Sequence, residues 1–269
     1  MPLALPLLLS IALAAEGPIT YAQVDGRALT LDRWLPDRPG PHPGVLLIHG
    51  GGWKYGDLYH GITESAVAAA AAGLVVVSPN YRLSTEALWP AQRDDVACAL
   101  RWMKVHADEL DLDPTRIAAV GHSAGGQLAL MLAEAPELGP PAWCDSQADG
   151  QVQAAVSMAG PSDMVTFYAD TLRFGRRVTR DLLGLSCRRV TPQALEKASP
   201  LSWVDAAGPP VLQVVGGTDA LVPGVVAASY DAALRRVGRE SLVVTVPDAG
   251  HNDINRADLW LDWVSRHLP

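Results

Sequence analysis

The chain lacks a basic stripe. Lys and Arg number 21 against 29 Asp and Glu, giving a formal net charge of −8 over 269 residues. Nucleic-acid binding needs clustered positive charge, so that class is excluded. No cluster of Cys, His, Asp and Glu has metal-ligand spacing, and neither a phosphate loop nor a dinucleotide fingerprint is present, so no metal and no cofactor are expected. Repeats and low-complexity tracts are absent. The stretch from Met1 to Glu16 holds no Lys or Arg. Its apolar run is too short to span a bilayer as a helix, which argues against stable membrane insertion. The run ends in Ala12-Leu13-Ala14, and residues 1–14 therefore read as a signal peptide with a secreted or periplasmic destination; a cytoplasmic protein is the rival reading.

What the chain does contain is 49% hydrophobic and only 19% charged, enough to bury one large core. Short apolar runs near 19–24, 29–35, 44–49, 74–78, 116–120, 152–159, 210–216 and 241–246 read as strands. Helical patterns fall between them near 62–72, 90–107, 124–134, 224–237 and 254–267. That alternation predicts an α/β fold: a mainly parallel, doubly wound, eight-stranded sheet with helices on both faces.

Gly121-His122-Ser123-Ala124-Gly125 sits between the strand run Ile117–Val120 and the helical run Gln127–Ala133. A G-x-S-x-G pattern is weak alone, but on a strand-to-helix turn it is a nucleophile elbow that leaves the serine hydroxyl standing clear. Upstream, Val45-Leu46-Leu47-Ile48 breaks into His49-Gly50-Gly51-Gly52-Trp53. Glycine-rich backbone can turn N–H groups on a developing oxyanion, so Gly51, Gly52 and the Ala124 N–H are the expected donors. Two later strands end in Asp219 and His251. The order Ser, Asp, His predicts a triad of Ser123 as nucleophile, His251 as base then acid, and Asp219 as the group that orients the imidazole. Asp248 and Asp253 are rivals for the acid, ranked lower because they lie so close in sequence to His251. His49 and His122 read as loop supports.

These motifs, together with Ser78-Pro79-Asn80-Tyr81-Arg82, Asp113-Pro114-Thr115-Arg116, Ala198-Ser199-Pro200 and Gly217-Thr218-Asp219, resemble the α/β-hydrolase esterase/lipase superfamily. The likeness is to hormone-sensitive-lipase-like enzymes and small feruloyl or acetylxylan esterase-like enzymes. His122 replaces the acidic residue that many hormone-sensitive-lipase-like members carry before the nucleophile, which favours the second group. The resemblance implies that residues 15–269 form a single α/β-hydrolase catalytic domain. It also implies a serine carboxylesterase that forms an acyl-enzyme on small short-chain acyl or aryl esters, including acetyl or feruloyl esters of carbohydrates. A prolyl oligopeptidase-like peptidase, a formamidase, and an inactive hydrolase-fold binding protein are the alternatives; a homodimer is among the expected assemblies.

Two insertions, Pro136–Gly150 and Pro161–Pro200, read as small lid-like excursions, the second carrying arginines at 173, 176, 177 and 180. Among the aromatics near the glycine loop, which include Tyr55 and Tyr59, Trp53 and Tyr81 are the expected substrate contacts. Of the three cysteines, Cys98 reads as a buried helical residue, with Cys144 and Cys187 bridging the two insertions; three free thiols are the rival reading.

Overall fold

A computed structural model describes residues 18–135 and 141–269; the signal-peptide reading of residues 1–14 lies outside them. The eight strands are β1 (Ile19–Val24), β2 (Arg27–Trp34), β3 (His42–Ile48), β4 (Val75–Pro79), β5 (Leu112–His122), β6 (Ala154–Met158), β7 (Val211–Gly216) and β8 (Ser241–Val246). They form one sheet in the order β1-β2-β4-β3-β5-β6-β7-β8. Both pairings of β2 are antiparallel, whereas every pairing from β4 through β8 is parallel. Every residue of β4 and β6 is buried, as expected of strands covered on both faces.

Helices α1 (Thr63–Ala71), α2 (Ala91–Val105), α3 (Ala124–Glu134) and α7 (Val225–Arg236) lie where the apolar spacing predicts them, within one or two residues at each end. Every residue of α3 is buried, because this helix packs on β5, β6 and β3 at the centre of the molecule. The close packing depends on glycine: a Cβ on Gly121 would strike the backbone of Gly125, and one on Gly125 would strike the carbonyl oxygens of Ile48 and His49. The helix expected over 254–267 is shorter. A 3-10 turn at Ala257–Leu259 precedes α8 (Leu261–His267), since Trp260 leaves the helical region and breaks the run.

The second insertion is not irregular. It folds into α4 (Met164–Asp170), α5 (Arg173–Leu183) and α6 (Pro192–Glu196). Asp163 caps α4 by accepting from the Val165 and Thr166 N–H groups, and Thr191 caps α6 ahead of Pro192.

The disulfide expected between Cys144 and Cys187 is not formed. Cys98 of α2 is bonded instead to Cys144, with Cα atoms 5.8 Å apart, and Cys187 is the free, exposed cysteine. The cause is where the first insertion lies. Asp149 pairs with Lys104 of α2 at 2.5 Å, and Trp143 stacks under the Arg82 guanidinium, so Cys144 is buried against α2. Cys187 follows α5, next to Arg180.

Candidate active site

Ser123, Asp219 and His251 come from three separate chain turns and meet in one hydrogen-bonded line. Ser123 has φ 55° and ψ −120°, a left-handed conformation in which a non-glycine residue is strained. The strain is held by its N–H donating to the Met158 carbonyl at 2.7 Å and by α3 starting at the next residue. His251 Nδ1 lies 2.8 Å from Asp219 Oδ2, and His251 Nε2 lies 2.9 Å from Ser123 Oγ. An ionised carboxylate only accepts, so the imidazole proton sits on Nδ1 and leaves the Nε2 lone pair facing the serine hydroxyl.

Asp219 Oδ1 accepts from the N–H groups of Leu221 at 2.8 Å and Val222 at 3.0 Å. Burial works to raise the Asp219 pKa, but the hydrogen bond from His251 and those backbone donors outweigh it and hold the carboxyl below its ordinary value. Of the two rivals, Asp253 caps its own loop by accepting from the Gly250 N–H at 2.7 Å, and Asp248 is exposed. Neither takes the place of Asp219.

Two buried histidines brace this line. His122 donates from Nε2 to the His251 carbonyl at 2.9 Å, tying the elbow to the loop that carries the imidazole. His49 donates from Nδ1 to the Gly50 carbonyl at 2.8 Å and stacks on Tyr81 with ring centroids 4.2 Å apart. Burial pushes each pKa down to about 4.

The glycine loop follows β3 directly. Gly51 and Gly52 have φ of 105° and 60°, and a Cβ on Gly51 would collide with the Tyr55 carbonyl. Gly51, Gly52 and Ser123 border a cleft of about 730 Å³, and Gly52, Ser123 and Ala124 border a second space of about 30 Å³. Ala124 is the first residue of α3, so its N–H points out of the positive end of that helix.

Tyr81 is not the substrate contact expected of it, since it borders neither of these spaces, whereas Trp53 borders the smaller one. Tyr81 is fully buried, stacked on His49, with its hydroxyl donating to the His49 and Gly50 carbonyls. Trp53 is 1% exposed and donates from Nε1 to Gln127, whose amide in turn donates to the Ala198 carbonyl. Both side chains brace the glycine loop through these bonds, and Trp53 also borders the smaller space. The residues that do line the large cleft include Tyr55, Tyr59, His60, Glu64, Asn252 and Asn255. Asn252 could have been suspected as the neighbour of His251; His60, Glu64 and Asn255 carry no sequence signal. The smaller space is walled by Phe167, Phe174 and Val178 of the second insertion. Among the described residues no group of three or more His, Cys, Asp or Glu side chains is placed to hold a metal ion.

The model of the BD-FAE family matches residues 31–234. The chain belongs to the BD-FAE family. That BD-FAE match runs through Ser123 and Asp219 and ends before His251. Among curated proteins the chain is 32% identical over 235 residues to the "probable carboxylic ester hydrolase LipM" of Mycobacterium tuberculosis, covering 86% of this chain and 54% of that protein. The chain thus spans about half the length of the curated relatives LipM, LipC and LipQ. Among solved structures it matches the bifunctional GH43-CE protein of Bacteroides eggerthii, with TM-score 0.82, 25% identity, and 93% of this chain and 35% of that one covered. It also matches propionate-bound esterase Est2 of Thermogutta terrifontis, with TM-score 0.76, 25% identity, and 94% and 93% covered. The BD-FAE chain is therefore an α/β-hydrolase in fold, as its motifs imply.

Proposed function

We propose that this chain is a serine carboxylic-ester hydrolase working through an acyl-enzyme on esters of short acids, without a cofactor. One observation carries the reading: a strained serine within 2.9 Å of an imidazole that is itself 2.8 Å from a carboxylate, beside glycine backbone. Ser123 Oγ attacks the ester carbonyl carbon as its proton passes to His251 Nε2, and the C=O electron pair moves onto oxygen. The N–H groups of Gly51, Gly52 and Ala124 stabilise that oxyanion, each worth about 3 kcal/mol if lost singly. Collapse expels the alcohol, which takes the proton from His251. Water then attacks the acyl-enzyme by the same route in reverse, releasing the acid and restoring Ser123. Asp219, acceptor-only and held ionised, keeps the imidazole in the required tautomer and stabilises its cation.

The acyl group belongs in the space of about 30 Å³ beside Gly52 and Val178, which supports acetyl or propionyl in preference to longer chains. The alcohol belongs in the large cleft, whose tyrosines and polar groups suit an aryl or carbohydrate alcohol. The curated and structural relatives support an esterase over a peptidase or a formamidase. The connected triad opposes the inactive binding protein. The Cys98–Cys144 disulfide supports an oxidising compartment, and with it the secreted or periplasmic reading. A panel of p-nitrophenyl esters of graded acyl length, methyl ferulate, acetylated xylan, a formyl amide and a prolyl anilide tests the assignment. Turnover of acetyl and propionyl esters is expected. Turnover of the anilide or the formyl amide alone would overturn it.

A further inference from the structure

We propose that Tyr59 selects the alcohol half of the ester by presenting only the face of its ring to a ring-bearing alcohol, and that Asp32 is the positioning residue that holds it there. This deepens the esterase reading and rests on it. Tyr59 is 41% exposed in the wall of the large cleft. Its hydroxyl nevertheless points inward and donates to Asp32 Oδ2 at 2.5 Å, although Asp32, in the middle of β2, is fully buried. A carboxylate in a sheet interior is costly to bury, and here it faces a residue of the cleft rather than the core.

A second buried polar group does the same to the preceding residue. Ser78 of β4 is the register partner of Asp32, is also fully buried, and donates from Oγ to the Leu58 carbonyl at 2.8 Å. Two facing positions of the sheet are thus polar, and both tether consecutive residues of one surface loop. Asp57 Oδ1 accepts from the Tyr59 N–H at 2.9 Å, and Trp34 meets the ring edge to face at 6.3 Å between centroids. The ring is fixed before anything binds, so little side-chain freedom is lost on contact. The hydroxyl proton is already committed to Asp32, which pushes the Tyr59 pKa up to about 12, so Tyr59 has no donor to offer a ligand. What remains is an apolar face suited to stacking against a planar aryl ring or the C–H face of a pyranose.

The test compares phenyl acetate, an acetylated pyranoside and ethyl acetate, which share one acyl group. Tyr59→Ala is expected to raise KM for the two ring esters about fivefold to tenfold more than for ethyl acetate, with the kcat ratios little moved. Asp32→Asn keeps an accepting oxygen and should recover most of the loss seen in Asp32→Ala. A shift for one ring ester alone identifies which ring the cleft takes and also supports the proposal. Equal changes for all three esters, or none, would overturn it. If Tyr59→Ala does not fold, product inhibition of the wild-type enzyme decides: phenol or a methyl pyranoside must inhibit at lower concentration than ethanol, and equal inhibition refutes the proposal. Failure of the wild-type enzyme to hydrolyse any of the three would instead overturn the esterase reading.

Discussion

Acidification between pH 6.5 and 4 should destabilise this protein through His49 and His122. Both are held neutral by burial, with pKa about 4 against an ordinary value of 6.5 in the unfolded chain. The sign follows from proton counts: within that window the unfolded state binds protons that the folded state refuses, so stability is complete above pH 6.5 and is lost as pH falls. A gap of about 2.5 units corresponds to about 3 kcal/mol per histidine at the acid limit, and to about 2 kcal/mol each at pH 5. Two such groups together remove a large share of the 5–15 kcal/mol, roughly, that holds a domain folded. Urea unfolding at pH 7, 6 and 5 measures this loss; burial raises the Asp95 and Glu134 carboxyls, which act in the opposite sense, so a variant that removes one histidine isolates its share. His122→Gln keeps a donor for the His251 carbonyl but cannot titrate, so it should flatten the pH dependence by about 2 kcal/mol at pH 5. An unaltered slope in that variant would refute the reasoning.

Val178→Ala should open the small space and raise the butyrate-to-acetate ratio of kcat/KM about tenfold, at roughly 0.8 kcal/mol per methylene newly buried; a p-nitrophenyl ester series reads it, and an unchanged ratio places the acyl group elsewhere. Thiol titration of the denatured, unreduced protein should count one group, Cys187, and three after reduction. Reduction should lower stability by about 4 kcal/mol for a bridge of sequence separation 46, and three groups without reductant would contradict the Cys98–Cys144 bond. Gly51→Ala should lower kcat more than it raises KM, because the added Cβ displaces the Tyr55 carbonyl and with it an N–H that acts on the transition state; a change confined to KM would make the loop a binding element only.

Much of the fold was legible because the central strands are buried on both faces and read as uninterrupted apolar runs, as in Val75-Val76-Val77 of β4. The triad was legible because each member lies in the turn just after a strand, and those strand ends converge at one edge of a parallel sheet. The second insertion was harder. Arginines at 173, 176, 177 and 180 lie at helical spacing, and Thr191-Pro192 is a helix start, but α4 and α6 are too short for periodicity to stand out. Tyr81 was misjudged, whereas Trp53 both holds the loop and borders the smaller space: an aromatic beside a glycine loop can line the site or hold the loop from behind, and only tertiary packing decides which. The cysteine pairing depended on the first insertion turning back over α2, a long-range matter of Lys104–Asp149 and Arg82–Trp143 contacts that local sequence does not encode.

Ester hydrolysis by Ser123→Ala, measured on folded protein against the wild-type enzyme with p-nitrophenyl acetate, tests the central claim most directly. Removing the nucleophile of a triad that acts as a unit should lower kcat by about a million-fold while far-ultraviolet circular dichroism is unchanged. Turnover by Ser123→Ala within a hundredfold of wild type would mean that the chemistry is not carried by this serine.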